Sequence, residues 1–274
     1  MVMSSSWRVV GSSVQGTSHL ARGVPCQDAH TWSLLPGGAL LLAVADGAGS
    51  APRSDEGSLR AVEHLVTWWR GILPDWPPAD AEEWAFLMRE AFDDTRHALV
   101  THARWAGESL RAFATTLSCA IVTDDLLVVG HIGDGVVVAG DGNGTLEAVV
   151  SPQRGEYANE AFFLTMPGAL RYVDVHVVPR RVETVAVLTD GLLRLATKLP
   201  GYQPFAPFFR PLLAFAAQAE DGAQAHAALA SFLASERVSA RTDDDKTLVV
   251  AARVPCPVEA EEAAEAAVEA EGVV

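Results

Sequence analysis

The stretch LLLAVADGAGSAP, residues 40–52, constrains this chain more than any other. Five apolar residues, Leu40 to Val44, lead through Ala45 to the carboxylate of Asp46, and side-chain bulk then vanishes over Gly47, Ala48, Gly49 and Ser50. A short apolar run stopped by glycine reads as a buried strand. Its end has two readings. Asp-Gly after such a run is most often a plain turn. Alternatively, the turn is kept empty so that a metal ion with its waters, or a phosphate, can approach Asp46.

Strand-like segments recur along the chain. WRVVGSSVQG (7–16) is one, and VETVAVLTDG (182–191) and DDKTLVVAARV (244–254) are two more. FATTLSCAIVTDDLLVVGHIGDGVVVAGDGNG (113–144) reads as three strands with turns at Thr123–Asp125, Gly133–Gly135 and Gly140–Gly144. Helical spacing predicts a first helix over about 54–69, with Leu59, Val62, Leu65, Val66 and Trp69 on its apolar positions. A second starts near Asp80, with Glu83 placed for a capping box and Trp84, Leu87, Met88, Ala91, Phe92, Thr95 and Leu99 on one face. WPP (76–78) separates the two, which predicts antiparallel neighbours. A third is expected over about 222–235, and YQPFAPFFRPLLAF (202–215) reads as core or as a helix-packing surface. Regular strand–helix alternation is missing. The pattern therefore predicts an α+β class, a mostly antiparallel sheet with helices packed outside.

Composition narrows the functions. The 274 residues are 49% hydrophobic, enough for a sizeable core, yet no apolar run approaches the roughly 18 residues of a membrane span. The first residues, MVMSSSWRVVGSS, lack the pattern of a secretion signal, so a soluble, cytoplasmic protein is expected. A net charge of −15 leaves neither a basic nucleic-acid footprint nor a polybasic membrane patch. Cys26, Cys119 and Cys256 are too scattered for a disulfide framework or a zinc site. After Pro257 the chain is almost only alanine, glutamate and valine, so residues 256–274 are read as an acidic tail outside a domain spanning 1–255.

Asp46 is one of several carboxylates at ends of strand-like runs. Asp190 follows TVAVLT, Asp134 follows VVGHIG, Asp243, Asp244 and Asp245 precede KTLVVAA, and Asp28 sits in VPCQDAH. Singly, each is a turn or a solvated loop. Together, on one edge of a sheet, they would repel one another unless cations lay between them. Oxygen-only ligands favour Mg²⁺ or Mn²⁺ over zinc.

GSSVQG, PCQDAH, VADGAGS, FATTLSCAIV, HIGDGVVV, VLTDGLL and DDDKTLVVAA occur in this order, and GEYANEAFFLT (155–165) lies between HIGDGVVV and VLTDGLL. The series resembles that of the metal-dependent serine/threonine protein phosphatases of type 2C, in particular a bacterial subgroup, over about residues 7–254. The resemblance implies a central antiparallel β-sandwich flanked by α-helices on both sides. It also implies two Mg²⁺ or Mn²⁺ ions, with a third, weaker site, and a phosphorylated protein as substrate, with a serine/threonine kinase or its target as the natural partner. Asp28, Asp46 and Asp190 then match catalytic positions. Asp46 matches the carboxylate bridging two metals, the Gly47 carbonyl a ligand of the second, Asp190 a ligand of the first and Asp244 the last ligand, with Asp243 as the alternative register. Asp134 matches a residue of the third site, and Asp28 one that orders metal waters. Ala48 stands where the family often has a histidine, and Gln27-Asp28 where it often has Glu-Asp. Arg22 and His19 are the candidates for phosphate binding.

Other groups fit blander roles. His131 is expected to be packed, His30 to hydrogen-bond near the site, and Cys26 to be structural, since no Cys-x₅-Arg loop follows it. Residues 150–172 would be a flap over the site. Two further functions fit the residues: a catalytically weak relative that binds phosphoproteins and regulates a partner, and a non-enzymatic cation-binding domain.

Overall fold

The computed structural model describes residues 5–74, 78–153 and 161–255. The acidic tail, most of WPP and the segment 154–160 lie outside these residues. Twelve strands are present among them: β1 (Ser5–Val14), β2 (Asp28–Leu34), β3 (Leu40–Asp46), β4 (Leu117–Val122), β5 (Leu127–Ile132), β6 (Val136–Gly140), β7 (Leu146–Val150), β8 (Asp174–Val178), β9 (Thr184–Leu188), β10 (Thr197–Lys198), β11 (Gln203–Pro204) and β12 (Lys246–Pro255). The helices are α1 (Thr17–Arg22), α2 (Ser54–Ile72), α3 (Ala81–Trp105), α4 (Leu193–Ala196), α5 (Ala206–Gln218), α6 (Gly222–Ala234) and α7 (Glu236–Ser239).

Two five-stranded antiparallel sheets, in the orders β1-β12-β9-β6-β7 and β2-β3-β4-β5-β8, form a sandwich. Val9, Leu40, Leu42, Val44, Val187 and Val249 belong to the core between the sheets. Leu41, Ala43 and Ala45 belong instead to a second core with Trp69, Met88 and Phe92 of α2 and α3. A third core joins Val10, Ala186 and Val250 to Phe209 and Leu229 of α5 and α6. The result is four layers, helices outside both sheets, as the resemblance implies. β3 is covered on both faces, so its apolar run shows no alternation.

The paired helices run antiparallel, since Glu56 near the start of α2 lies 3.3 Å from His102 near the end of α3. Asp80 caps α3 by accepting from the amides of Glu82 and Glu83, both at 2.9 Å, and Glu83 reaches back to the amide of Ala79 at 2.8 Å. The segment read only as core or packing surface is the helix α5, which carries Pro211 inside it. Proline has no amide to donate and obscured the helical pattern. No helix among the described residues is long and apolar enough to cross a membrane.

Candidate active site

The even-numbered residues of β3 face the opposite sheet, and Asp46 continues that series to the open end of the sandwich. Asp28, the first residue of β2, lies directly opposite it in the ladder. Threonines hold the Asp46 backbone: its amide donates to Thr116 Oγ1 at 2.9 Å, and its carbonyl accepts from the Thr116 amide at 2.8 Å and from Thr115 Oγ1 at 3.1 Å. Asp134 enters from the β5–β6 turn, and Asp190 opens a 3₁₀ turn immediately after β9.

Carboxylate oxygens of Asp46, Asp134 and Asp190 all lie within 4.8 Å of one another. Burial pushes Asp46 well above the ordinary carboxylate value, and the charges of Asp28, Asp190, Asp134 and Asp244 add to the effect. Asp190 is raised to about 7, first by burial and then by Asp134 and Asp244. Asp28 sits deeper; burial raises it too, against the hydrogen bond that Thr189 Oγ1 donates to its Oδ2 at 2.8 Å. Asp28 Oδ1 and Asp190 Oδ1 are buried without a hydrogen-bond partner among the described residues. Buried acceptors without donors are costly. Such a set fits hard divalent cations, for which only oxygen ligands are offered.

The remaining sequence candidates fall into place around this triad. Asp243, Asp244, Arg22 and His19 line the same cavity, of about 460 Å³, together with Thr116 and Phe163. Asp244 is outside the 4.8 Å triad, yet its charge is among those that raise both Asp46 and Asp190. Arg22 is exposed on α1, and its Nε donates to the Ser18 carbonyl at 3.1 Å. His19 is buried, with its Nδ1 2.9 Å from Asp245 Oδ2. His131 is buried beside Ser118 Oγ at 2.8 Å, and burial lowers it to about 4. His30 is likewise lowered to about 4, by burial and by His226, and contacts Ser13 Oγ at 2.8 Å. Burial, with Asp28 and Asp245 nearby, pushes the Cys26 thiol up, so it is not poised as a nucleophile.

The emptiness after Asp46 has a partly different cause from the one expected. A Cβ on Gly47 would lie 2.6 Å from the Gln27 carbonyl and 2.7 Å from that of Ser54. Close backbone packing therefore requires glycine there, whereas a Cβ on exposed Gly49 would make only ordinary contacts, 3.9 Å from Gln27 Oε1 and His19 Nε2. A Cβ on Gly191 would meet the Asp245 carbonyl at 1.9 Å.

Sequence reasoning missed Asp245 as distinct from its neighbours. It is buried, and it accepts from the amides of Gly16 and Gln27, both at 2.6 Å, so it ties the loops carrying Asp28 and Asp244 to α1. The signal was its place, adjacent to the first residue of β12. Thr189 was missed too, although a polar residue closing the apolar run TVAVL marks it.

Comparison with known proteins agrees with this geometry. The family described as protein phosphatase 2C matches residues 15–234. Serine/threonine-protein phosphatase 3 of Escherichia coli (strain K12) is 35% identical over 253 residues, spanning 90% of this chain and 98% of that protein. Among solved structures, the Staphylococcus aureus serine/threonine phosphatase Stp1 superimposes with a TM-score of 0.60 at 14% identity, covering 92% of this chain and 95% of that one. The catalytic domain of the serine/threonine protein phosphatase PstP, solved with 2 manganese ions, gives a TM-score of 0.60 at 18% identity, covering 92% of this chain and all of that one. The chain belongs to the protein phosphatase 2C family.

Proposed function

We propose that this protein removes phosphoryl groups from phosphoserine and phosphothreonine in proteins, with Mg²⁺ or Mn²⁺ held by the acidic cluster at the end of the sandwich. The observation that carries this is the gathering of carboxylate oxygens of Asp46, Asp134 and Asp190 within 4.8 Å, with Asp28 Oδ1 and Asp190 Oδ1 buried without partners among the described residues. Family membership and the manganese named for the PstP structure support it.

Asp46 would bridge two ions, the Gly47 carbonyl and Asp244 would complete their shells with Asp190, and Asp134 would serve a third. When bound, such ions neutralise phosphate charge and acidify a water to a nucleophile. The chain's own residues do the rest. Thr189 occupies one oxygen of Asp28, leaving Oδ1 as the acceptor that orients a water proton. Arg22, on the cavity wall, offers its guanidinium to phosphate oxygens. Ala48 supplies no acid at the position where the family often has a histidine. Asp245 and His19 brace the cavity from beneath.

The partner class is a serine/threonine kinase or its phosphorylated target. The free thiols of Cys26 and Cys119 suit the reducing cytoplasm. We read 1–255 as the phosphatase domain and 256–274 as an appended acidic tail. Turnover of p-nitrophenyl phosphate and of a phosphothreonine peptide tests the assignment. It should require Mn²⁺ and fall at least ~100-fold in Asp46→Asn and Asp190→Asn. Equal turnover in EDTA, or in both variants, would overturn it.

A further inference from the structure

A second cavity, of about 810 Å³, adjoins the acidic one and shares Ala48, Ser50 and Phe163 with it. It is bounded by the turn after β3, by Arg96 of α3, by residues 108–112 with Ala114, and by Phe163 with residues 165–167. Phe163 packs against Ala48, Ala51 and Ala114, so its ring stands between the two cavities. The walls are largely apolar, with Ala51, Leu110, Phe163 and Met166 among them.

Within this apolar wall lies an unmatched cation. The Nε of Arg96 is buried and has no hydrogen-bond partner among the described residues. None of the ion pairs among those residues uses Arg96 or Arg111, which lies on the same lining. Among the described residues of that lining Glu108 is the one acid, against Arg96 and Arg111, in a chain of net charge −15. With 35 carboxylates against 20 Lys and Arg in the chain, a guanidinium at a cavity with no ion pair among the described residues stands out. A buried N–H without an acceptor is costly to leave that way, and a carboxylate arriving there forms a strong, charge-assisted bond in a partly desolvated setting.

We propose that this cavity is a specificity subsite for the protein substrate. It takes an acidic side chain, glutamate or aspartate, a few residues from the phosphorylated serine or threonine, with Arg96 as its receptor. The proposal rests on the reading of the neighbouring site as a phosphatase centre. Continuity of the two cavities means that a peptide whose phosphate reaches Asp46 runs directly past Ala48 and Phe163. The apolar walls suit the methylene stem of glutamate, and Arg96 suits its head.

The test uses the full chain with Mn²⁺ and two sets of phosphothreonine peptides. In each set, Glu, Gln, Ala or Lys is placed at each of the flanking positions. One set is hydrolysable and gives kcat/KM; the other carries a non-hydrolysable phosphonate and gives affinity by fluorescence anisotropy. At one position Glu should be preferred over Gln by about tenfold, the size of one charge-assisted hydrogen bond. Arg96→Gln should erase that preference, Arg96→Lys should keep part of it, and p-nitrophenyl phosphate turnover should stay unchanged in both. Arg111→Gln serves as a second, exposed variant and should reduce the preference two- to threefold. No preference at any position in the wild type, or a full preference surviving in Arg96→Gln, would overturn the proposal. Loss of all turnover with the phosphonate preference intact would instead sink the phosphatase reading and leave the subsite standing.

Discussion

Asp190→Asn separates the stability of the metal-free fold from that of the loaded one. Asp190 is held at about 7 rather than 3.8 by burial and by Asp134 and Asp244. A carboxyl raised by folding opposes folding at neutral pH; the penalty is fully present above about 7 and disappears as the pH falls through the ordinary value of 3.8. At about 1.4 kcal/mol per tenfold, this amounts to ~4 kcal/mol against the metal-free protein at pH 7.5. Asparagine removes the charge but weakens the turn's hydrogen bonding by ~1–2 kcal/mol. The net gain of about 2–3 kcal/mol corresponds to a rise in Tm of about 5–10 °C for a domain of this size. Saturating Mn²⁺ should reverse the order. The wild type gains ~4 kcal/mol at a thousandfold excess over Kd, while the variant, short of a ligand, gains far less. Calorimetric melts at pH 7.5, in EDTA and in Mn²⁺, read both effects. A variant less stable than wild type in EDTA, or one with an undiminished Mn²⁺ shift, would refute the view that mutual repulsion of these carboxylates is what the cations relieve.

His131, lowered to about 4 by burial, works in the acid range: the unfolded chain takes up its proton first, so stability is lost as the pH falls from about 6.5 towards 4. Denaturant titrations should show the stability gap between wild type and His131→Asn shift in favour of the variant by about 2 kcal/mol between pH 7 and pH 5. Asp245→Ala frees the amides of Gly16 and Gln27 and should cost ~3 kcal/mol in the same assay, with weaker Mn²⁺ binding by calorimetry. Gly191→Ala drives a methyl into the Asp245 carbonyl and should destabilise by at least ~2 kcal/mol while displacing Asp190 from the cluster. Arg22→Ala should raise KM for a phosphopeptide about tenfold with little change in kcat, the pattern of a ground-state phosphate contact.

Much of this organisation was legible in the residues. The runs ending in Asp46, Asp134 and Asp190 are strands terminating at one end of the sandwich, and the three turns within 113–144 fall between β4, β5, β6 and β7. Helices α2 and α3 follow their apolar spacing because each buries one face only, except at Leu59, which was expected on the apolar face of α2 but is 49% exposed, while small Gly57, Ser58 and Ala61 are buried instead. What was hidden depends on contacts between distant parts. β2 carries His30 and Thr31 inside DAHTWSL and shows no apolar run, because its pairing with β3 rather than its own hydrophobicity makes it a strand. α1 is a six-residue helix held by Asp243 and Asp245, more than two hundred positions away. Asp245 and Asp244 are chemically identical in the sequence; only the fold buries the first and leaves the second at the cavity.

The ladder between β2 and β3 works as a ruler. It sets Asp28 across from Asp46 by counting seven pairs from Leu34 and Leu40. Side chains alternate, so one inserted or deleted residue within β3 would swing Asp46 out of the gap between the sheets and toward α2. The same arithmetic binds β9, where Leu188 is matched with both Leu248 and Val136 just before Asp190. An inserted residue should therefore be tolerated at a place that carries no count, such as the hairpin tip at 141–145, and not in the short strands that deliver the carboxylates.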